Sequence, residues 1–276
     1  MSIAERLRER GLSPKKRFGQ NFLVDVHAQR TIAEAATTPP GGTVLEIGAG
    51  MGALTRPLLE RAARVVAIER DRDLVPLLSA DFAEPIAEGR MQLVEGDALS
   101  LDWAALLADG PRPHIIAGNL PYLLTGPLLE RATTLADHID RVVFMVQAEV
   151  ADRLVARPST KEYGALTVFV QAAFDVRRVL TVRAGAFYPR PDVDSAVVAL
   201  EPVRPRRAQE TEAFRAAVRA AFGTRRKTLR NAWKSLYGWS KDELEARAKE
   251  AGISLEARGE TLSVGDFARI AELVTR

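Results

Sequence analysis

The chain has 276 residues, of which 47% are hydrophobic and 27% charged, and its formal net charge is +3. These fractions are those of an ordinary globular protein and exclude collagen, a coiled coil and an intrinsically disordered chain. The sequence contains no Cys, which excludes disulfide scaffolds, thiolate metal sites and cysteine nucleophiles.

A parallel sheet is predicted over the first half of the chain. We expect a short basic helix over 2–11, a basic loop over 15–23 and a helix over 25–36. Five strands follow, at 43–47, 64–68, 91–94, 114–117 and 141–147. The helices between them are predicted at 53–62, 72–80 and 125–134. Strands that alternate with helices at this spacing are typical of βαβ units.

The pattern changes after residue 147. Two β-rich runs, 176–182 and 195–200, are expected to pair as an antiparallel hairpin at one end of the sheet. The segment 202–207 is rich in Pro and Arg and is predicted to be a linker. Beyond it the sequence shows only helical patterns, at 210–222, 224–237, 240–251 and 263–275. We therefore predict an α/β domain over 1–202 and a small all-helical domain over 203–276.

The charge is unevenly distributed along these segments. Residues 1–22 have a net charge of +4, residues 23–184 of −5 and residues 185–276 of +4. An acidic middle between basic ends is typical of a catalytic body flanked by polyanion-binding surfaces, although charge alone leaves chance variation open. No apolar run reaches the roughly 18 residues of a membrane span. No apolar run follows the N-terminal charges either, so we expect a cytoplasmic protein without a membrane anchor.

A glycine-rich loop follows the first strand of the sheet. Gly48 and Gly50 allow a tight turn between strand and helix, and a plain strand–helix turn is the alternative. Glu69 lies 21 residues after Gly48, where a carboxylate can bind both ribose hydroxyls of an adenosine ligand. Asp97 ends the third strand and is a candidate for binding an adenine amino group. The three positions indicate an adenosine-bearing cofactor, for which NAD(P) and S-adenosylmethionine both qualify.

Asn119-Leu120-Pro121-Tyr122 follows the fourth strand, where amino-methyltransferases carry a related motif. An exocyclic adenine amine is a poor nucleophile because its lone pair is delocalised into the ring. The Asn119 side-chain oxygen and the Leu120 carbonyl can accept from its two N–H groups, and Tyr122 offers a ring on which a flipped-out base stacks. Phe187 is a candidate for the second face of that base, or it packs against nearby prolines.

Five motifs, taken together and in this order, resemble the ribosomal RNA adenine dimethyltransferases. They are KKRFGQNFL (15–23), EIGAGMGALT (46–55), NLPY (119–122), FYPRPDVDSAVV (187–198) and FGTRRKTLRN (222–231). Within that family the last motif makes the chain most similar to the small-subunit (16S) enzymes. The resemblance implies a Rossmann-like class I methyltransferase sheet and S-adenosylmethionine as donor. It also implies dimethylation of two adjacent adenosines in a hairpin near the 3′ end of 16S rRNA.

The resemblance also assigns roles to individual residues. It implies cofactor contacts at Asn21, Leu23, Gly48, Gly50, Glu69, Asp97 and Asn119. It implies that Asn119, Leu120 and Tyr122 hold the target base and that Phe187 stacks on it. The expected partner is 16S rRNA in the small ribosomal subunit or its precursor, bound by a monomer.

A basic segment over 213–241 contains eight Lys or Arg residues and no acid. Arg215, Arg219, Arg226 and Arg230 recur at spacings that place them near one face of a helix, which fits contact with an RNA backbone. A solvated helix face is the alternative. The RNA-binding candidates are Lys15, Lys16, Arg17, Arg219, Arg225, Arg226, Lys227 and Arg230. The three His residues lack metal-ligand spacing, so no metal site is expected.

Three other functions remain open at this stage. The first is a 23S rRNA adenine methylase that confers macrolide resistance. The second is a ribosome-assembly or transcription factor that keeps the fold and acts mainly by binding. The third is an NAD(P) dehydrogenase, which would use the glycine loop but would leave Asn119–Tyr122 and the basic segment unexplained.

Overall fold

The central strands of the sheet consist mainly of apolar residues, and most of their residues are buried on both faces, as a parallel sheet covered by helices requires. The computed structural model describes residues 3–224 and 226–274. The strands are β1 (Phe22–Leu23), β2 (Thr43–Ile47), β3 (Arg64–Glu69), β4 (Met91–Glu95), β5 (His114–Asn119), β6 (Arg141–Gln147), β7 (Phe174–Val182), β8 (Phe187–Tyr188) and β9 (Ser195–Pro202).

Helices connect most of these strands and make up the C-terminal part of the chain. The helices are α1 (Ile3–Glu9), α2 (Val26–Ala36), α3 (Thr55–Leu59), α4 (Val75–Asp81), α5 (Ala83–Ala87), α6 (Trp103–Ala108), α7 (Thr125–Thr134), α8 (Ala148–Leu154), α9 (Ala165–Ala173), α10 (Glu212–Gly223), α11 (Leu229–Ala232), α12 (Lys241–Glu250) and α13 (Val264–Glu272). The five predicted βαβ strands are all present.

Seven strands form one sheet in the order β4-β3-β2-β5-β6-β9-β7. The strands from β4 to β6 pair in parallel, and β9 runs antiparallel to β6. The two late β-rich runs are neighbours at one end of the sheet, as predicted. The chain runs from β2 through β3 to β4 in one direction and from β5 to β6 in the other, so the strand order reverses between the neighbours β2 and β5. Such a switch point opens a crevice at the carboxyl ends of the strands, where α/β sheets bind their ligands.

The N-terminal segment is attached to this sheet by a separate two-stranded ribbon. Strand β1 pairs antiparallel with β8, which places Phe22 opposite Tyr188 and Leu23 opposite Phe187. Leu7 of α1 packs in a small apolar cluster with Phe22 and Met51. These contacts hold the basic loop over 15–23 within the α/β unit.

Packing divides the chain into two compact units. The first unit comprises the chain up to Ala151 together with Val176–Glu201, and the second comprises Asp152–Asp175 and the chain from Pro202 onward. The segment 152–175, which we predicted to belong to the first domain, packs with the C-terminal helices. Tyr163 and Val168 lie in one hydrophobic cluster with Phe267, and the Tyr163 hydroxyl donates to the Leu262 carbonyl at 2.8 Å. Domain limits at 1–202 and 203–276 stay a prediction.

The second unit has its own aromatic core. Trp233 is fully buried and donates its indole N–H to the Ala217 carbonyl at 3.0 Å. The predicted continuous helix over 224–237 is wrong, because α10 ends at Gly223 and α11 spans only four residues. The four arginines chosen for their helical spacing therefore do not share one helix face.

None of the described helices combines the length and the apolar character needed to cross a membrane. Within the same part of the chain, no group of three or more His, Cys, Asp or Glu side chains is arranged to hold a metal ion.

Candidate active site

A pocket opens at the carboxyl ends of β2, β3 and β5. All the residues predicted to contact the cofactor line it, as do three of the four predicted to hold the base. These are Asn21, Leu23, Gly48, Gly50, Glu69, Asp97, Asn119, Leu120 and Tyr122. The fold thus brings together side chains that lie up to about a hundred positions apart in the sequence. Their individual roles stay predictions.

Glycines shape the floor of this pocket. Gly48, Gly50 and Gly52 have φ angles of 76°, 60° and 75°, a backbone region that disfavours other residues. A Cβ atom at Gly48 would meet no protein atom within 4 Å, so this position is open to the pocket. A Cβ atom at Gly52 would lie 2.4 Å from Phe82 Cε2, so Gly52 is required by packing.

Four backbone N–H groups of the glycine loop are already bonded within the protein. Those of Gly48 and Ala49 donate to the Ile68 carbonyl at 2.9 and 3.0 Å, and that of Gly52 donates to the Ala49 carbonyl at 2.9 Å. The N–H of Gly50 donates to Glu69 Oε2 at 2.7 Å. A dinucleotide pyrophosphate needs such donors for itself. Fewer donors of the loop are therefore left for phosphates, which disfavours the NAD(P) alternative.

Glu69 is held rigidly at the end of β3. It is 6% exposed, and its other carboxylate oxygen, Oε1, accepts the Asp71 N–H at 2.7 Å. Burial raises the pKa of Glu69, against the opposing effect of these backbone hydrogen bonds. A carboxylate has about four lone-pair sites, and the backbone N–H groups of Gly50, Asp71 and Arg70 do not use all of them. The remaining acceptor capacity fits ribose hydroxyls, as in the adenosine part of S-adenosylmethionine.

A second buried acid lies beside the glycine loop. Glu46 of β2 is 1% exposed and accepts a hydrogen bond from the Thr55 hydroxyl at 2.7 Å. Burial raises the pKa of Glu46 to about 7, and the nearby Glu69 carboxylate adds to this shift. The sequence did not reveal this raised pKa, because it results from burial in the folded protein.

The N-terminal segment closes one side of the pocket. Asn119 at the end of β5 donates from Nδ2 to the Asn21 carbonyl at 2.9 Å. This bond fixes the amide and leaves Oδ1 as its acceptor. Phe22 lies directly over the glycine loop, since a Cβ at Gly50 would come within 3.2 Å of the Phe22 ring.

Tyr122 begins a short 3₁₀ turn that follows β5. Its hydroxyl lies 2.9 Å from the Ser195 hydroxyl, and Ser195 at the start of β9 is fully buried. Burial raises the pKa of Tyr122, so the phenol is neutral at physiological pH. The hydrogen bond holds the ring at the pocket wall, next to Asn119.

Asp97 lies at the wall of this pocket, whereas Phe187 does not. Phe187 is 5% exposed, packs in the core of the α/β unit and does not line the pocket. Its predicted stacking on the target base stays a prediction. Asp97 lines the pocket, where Arg70 Nη1 lies 3.2 Å from Asp97 Oδ2 and the Leu99 N–H donates to Oδ1 at 3.0 Å.

The RNA-binding candidates fall into two groups. Lys16, Arg17, Arg219, Arg226 and Lys227 are exposed, and Arg225 lies outside the described residues. Lys15 and Arg230 are instead ion-paired within the protein. Lys15 binds Asp71 and Asp73, and Arg230 pairs with Glu245 at 2.5 Å and with Glu256 at 2.8 Å. The Arg230 guanidinium is thus shared between two carboxylates, and its contact with RNA stays a prediction.

Several residues of the site were missed by the sequence analysis. Ser195 carries no local signal, because its partner Tyr122 is 73 positions away. Arg70 pairs with Asp97 and also lies over the Phe18 ring, 5.6 Å from its centroid. Asp71 is an acid two positions after Glu69, and only the fold shows that it anchors the N-terminal loop.

Comparison with known proteins agrees with this geometry. The family model for ribosomal RNA adenine dimethylase matches residues 11–276. A ribosomal RNA small subunit methyltransferase A from Moorella thermoacetica is 45% identical, over 96% of this chain and 94% of the relative. A relative of the same description from Geobacter metallireducens is 44% identical, over 96% of this chain and 97% of the relative.

Among solved structures, a dimethyladenosine transferase from Plasmodium falciparum superposes with a TM-score of 0.78 at 24% identity, covering 90% of this chain and 95% of the other. The 23S rRNA methyltransferase ErmE superposes with a TM-score of 0.67 at 26% identity, covering 93% and 100%. These likenesses confirm the predicted Rossmann-like class I methyltransferase fold. With a family model matched along nearly all of its length, the chain belongs to the ribosomal RNA adenine dimethylase family.

Proposed function

We propose that this protein transfers methyl groups from S-adenosylmethionine to N6 of two adjacent adenosines in a 3′-terminal hairpin of 16S rRNA, during assembly of the small ribosomal subunit. One observation carries the proposal. The Asn119 amide, fixed through Nδ2 to the Asn21 carbonyl, lines the same pocket as Glu69 and Tyr122. An amine acceptor, a ribose-binding carboxylate and an aromatic ring thus meet in one place.

Four residues of the pocket would hold the cofactor through their side chains or by closing the pocket around it. Glu69 binds the ribose hydroxyls through lone pairs that Gly50 and Asp71 leave unused. Asp97 accepts from the adenine amine, and Asn21 and Leu23 close the pocket from the N-terminal side. S-adenosylmethionine supplies a methyl group on a positively charged sulfur atom, which makes that methyl electrophilic.

The target adenine is held by the residues that follow β5. Asn119 Oδ1 and the Leu120 carbonyl accept hydrogen bonds from the two N6–H groups. These bonds favour a pyramidal nitrogen whose lone pair is available for attack. Tyr122 stacks on the extruded base, an interaction worth about 1–3 kcal/mol. The Ser195 hydrogen bond keeps that ring from turning away.

Catalysis then comes mainly from positioning. Converting a bimolecular step into an oriented one contributes about 7–11 kcal/mol in favourable cases. The nitrogen that has gained a methyl group is cationic and acidic, so it loses its proton to water without a strong base on the protein. A second transfer to the same nitrogen needs one acceptor fewer, because only one N–H remains.

RNA would be bound by exposed Lys and Arg side chains of each unit. Lys16 and Arg17 belong to the first unit, and Arg219, Arg226 and Lys227 to the second. Contacts of this kind bind phosphates without reading sequence, so they supply affinity and register. We propose a monomer, since one chain supplies every residue that we place in the pocket. We also propose that it acts in the cytoplasm, where a bacterial rRNA substrate would be found.

The proposal is tested by methyl transfer from labelled S-adenosylmethionine to ribosomal subunits that lack the modification. Small subunits should become labelled and large subunits should not. Labelling of large subunits alone would favour a 23S rRNA methylase. No labelling of either, with the donor bound, would favour a protein that acts by binding.

The matched variant is Asn119→Ala. It should lower methyl transfer by at least about 100-fold, the usual loss when an aligned hydrogen-bonding group of an active site is removed. Its thermal unfolding should resemble that of the parent. Transfer close to that of the parent would show that Asn119 does not hold the base.

A further inference from the structure

We propose that Lys15 is a positioning residue for the ribose-binding carboxylate of Glu69, acting through Asp71, and that it is not a contact to RNA. The proposal rests on the cofactor role of Glu69 given above. The sequence alone assigned Lys15 to RNA binding. The proposal assigns it instead to the support of the cofactor site.

Lys15 belongs to a set of contacts between the N-terminal loop and the segment that follows β3. Its ammonium group binds the carboxylates of Asp71 and Asp73. From the same loop, Gln20 Nε2 donates to Asp71 Oδ2 at 2.7 Å, and Gln20 Oε1 accepts the Lys15 N–H at 2.7 Å. Loop and segment are therefore joined at several points around the Asp71 carboxylate.

Asp71 depends on these partners because its side chain is only 3% exposed. Burial opposes its ionisation, but the hydrogen bonds from Lys15 and Gln20 outweigh that effect and hold the pKa of Asp71 below its usual value. Removing the ammonium group leaves a buried carboxylate with less compensation. We expect Asp71 to move toward water when Lys15 loses its charge.

The backbone of Asp71 connects this ion pair to the cofactor site. The Asp71 N–H donates to Glu69 Oε1, and the Gly50 N–H donates to Oε2, both at 2.7 Å. The two bonds set the plane of the Glu69 carboxylate. Binding two adjacent ribose hydroxyls requires that plane to be fixed, since each hydroxyl must meet a lone pair. A shift of Asp71 therefore weakens recognition of the ribose.

An exposed neighbour offers a control for charge. Arg10 lies in the same N-terminal stretch and is exposed. Arg10→Met removes one positive charge, as Lys15→Met does, without touching Asp71. Lys15→Arg keeps the charge and tests rescue by a conservative replacement. Asp71→Asn removes the acceptor charge from the other side.

The experiment measures binding of S-adenosylhomocysteine and of its 2′-deoxy analogue by calorimetry, without RNA. Lys15→Met should weaken S-adenosylhomocysteine binding by about tenfold and affect the 2′-deoxy analogue much less, because the lost interaction is with the ribose. Lys15→Arg should recover most of the affinity, and Arg10→Met should bind like the parent. Lys15→Met and Asp71→Asn combined should lose no more than either alone.

A second measurement separates this role from RNA binding. The salt dependence of rRNA affinity should be the same for Lys15→Met and the parent, whereas a phosphate contact would lower the slope by about one. S-adenosylhomocysteine affinity within twofold of the parent would overturn the proposal, as would equal losses for the ligand and its 2′-deoxy analogue. If the parent failed to bind S-adenosylhomocysteine, the proposed function would fall together with this inference.

Discussion

Replacing Gly48 by Ala separates backbone strain from contact with the cofactor. Gly48 has a φ of 76°, and a Cβ there would meet no protein atom within 4 Å. An L-residue in this conformation costs roughly 1–2 kcal/mol, offset in part by about 0.4–1 kcal/mol from a less flexible unfolded chain. The free energy of unfolding should therefore fall by only about 1 kcal/mol.

The same methyl group should have a larger effect on the ligand. Gly48 lines the pocket, so the added methyl would occupy space that the cofactor needs. Excess volume in a packed site costs about 1–3 kcal/mol, which corresponds to roughly 5- to 150-fold in Kd. Calorimetry with S-adenosylhomocysteine measures this loss, and thermal unfolding without ligand measures the strain.

Gly89 provides the matched control. Its φ is 72° and a Cβ there would also meet nothing within 4 Å, but it lies in the turn before β4, outside the pocket. Gly89→Ala should lose the same stability as Gly48→Ala and keep the affinity of the parent. The reasoning would be refuted if Gly48→Ala bound the ligand like the parent, or if both variants lost affinity equally.

Three further predictions follow from the site and the basic surface. Ser195→Ala removes the partner of the Tyr122 hydroxyl, so kcat/KM in the methyl-transfer assay should fall about twofold to tenfold, as expected for one hydrogen bond of about 0.5–1.5 kcal/mol. Glu46→Gln should gain stability relative to the parent as the pH rises from about 4.5 to about 7, by at most about 3 kcal/mol, in urea unfolding without ligand. Arg226→Gln should lower the slope of log K against log salt for rRNA binding by about one, whereas Arg230→Gln should leave it unchanged.

The sign of the pH effect follows from the raised pKa of Glu46. Between the unfolded and folded pKa values the folded state binds more protons, so the contribution of this carboxyl to stability is largest at low pH and is lost as the pH rises to about 7. A stability difference between Glu46→Gln and the parent that does not vary with pH would contradict the raised pKa of Glu46.

The other two predictions have their own controls. In the Ser195→Ala variant, adding Tyr122→Phe should cause no further loss of kcat/KM through the hydroxyl, and additive losses would contradict the hydrogen bond between the two side chains. Equal salt slopes for the Arg226 and Arg230 variants would contradict the division of the basic residues.

The sheet could be predicted from sequence because its strands are short apolar runs with clearly marked ends. Val44, Ile116 and Val143 lie in such runs and are fully buried. The helix predicted over 224–237 was wrong, and the sequence pattern did not show why. Its periodicity is genuine, but Gly223 ends α10 and Thr228 adopts an extended conformation before α11. A helical spacing of charges indicates a shared face only where the backbone stays helical.

The pocket was predictable to the extent that its residues follow strand ends. Glu69 and Asn119 end β3 and β5, and the topology of a parallel sheet brings such positions together. The ion pairs of Lys15 and Arg230 could not be foreseen, because their partners are distant in sequence. Phe187 is similar in this respect, since the pairing of β8 with β1 places its ring in the core.

The most direct test of the account is to map the methylated nucleotides. Small subunits that lack the modification would be incubated with the protein and S-adenosylmethionine, and their RNA analysed by mass spectrometry. The account predicts two adjacent N6,N6-dimethyladenosines in a hairpin near the 3′ end of 16S rRNA, and none with Asn119→Ala. Methyl groups elsewhere in the RNA, or none while the donor binds, would contradict it.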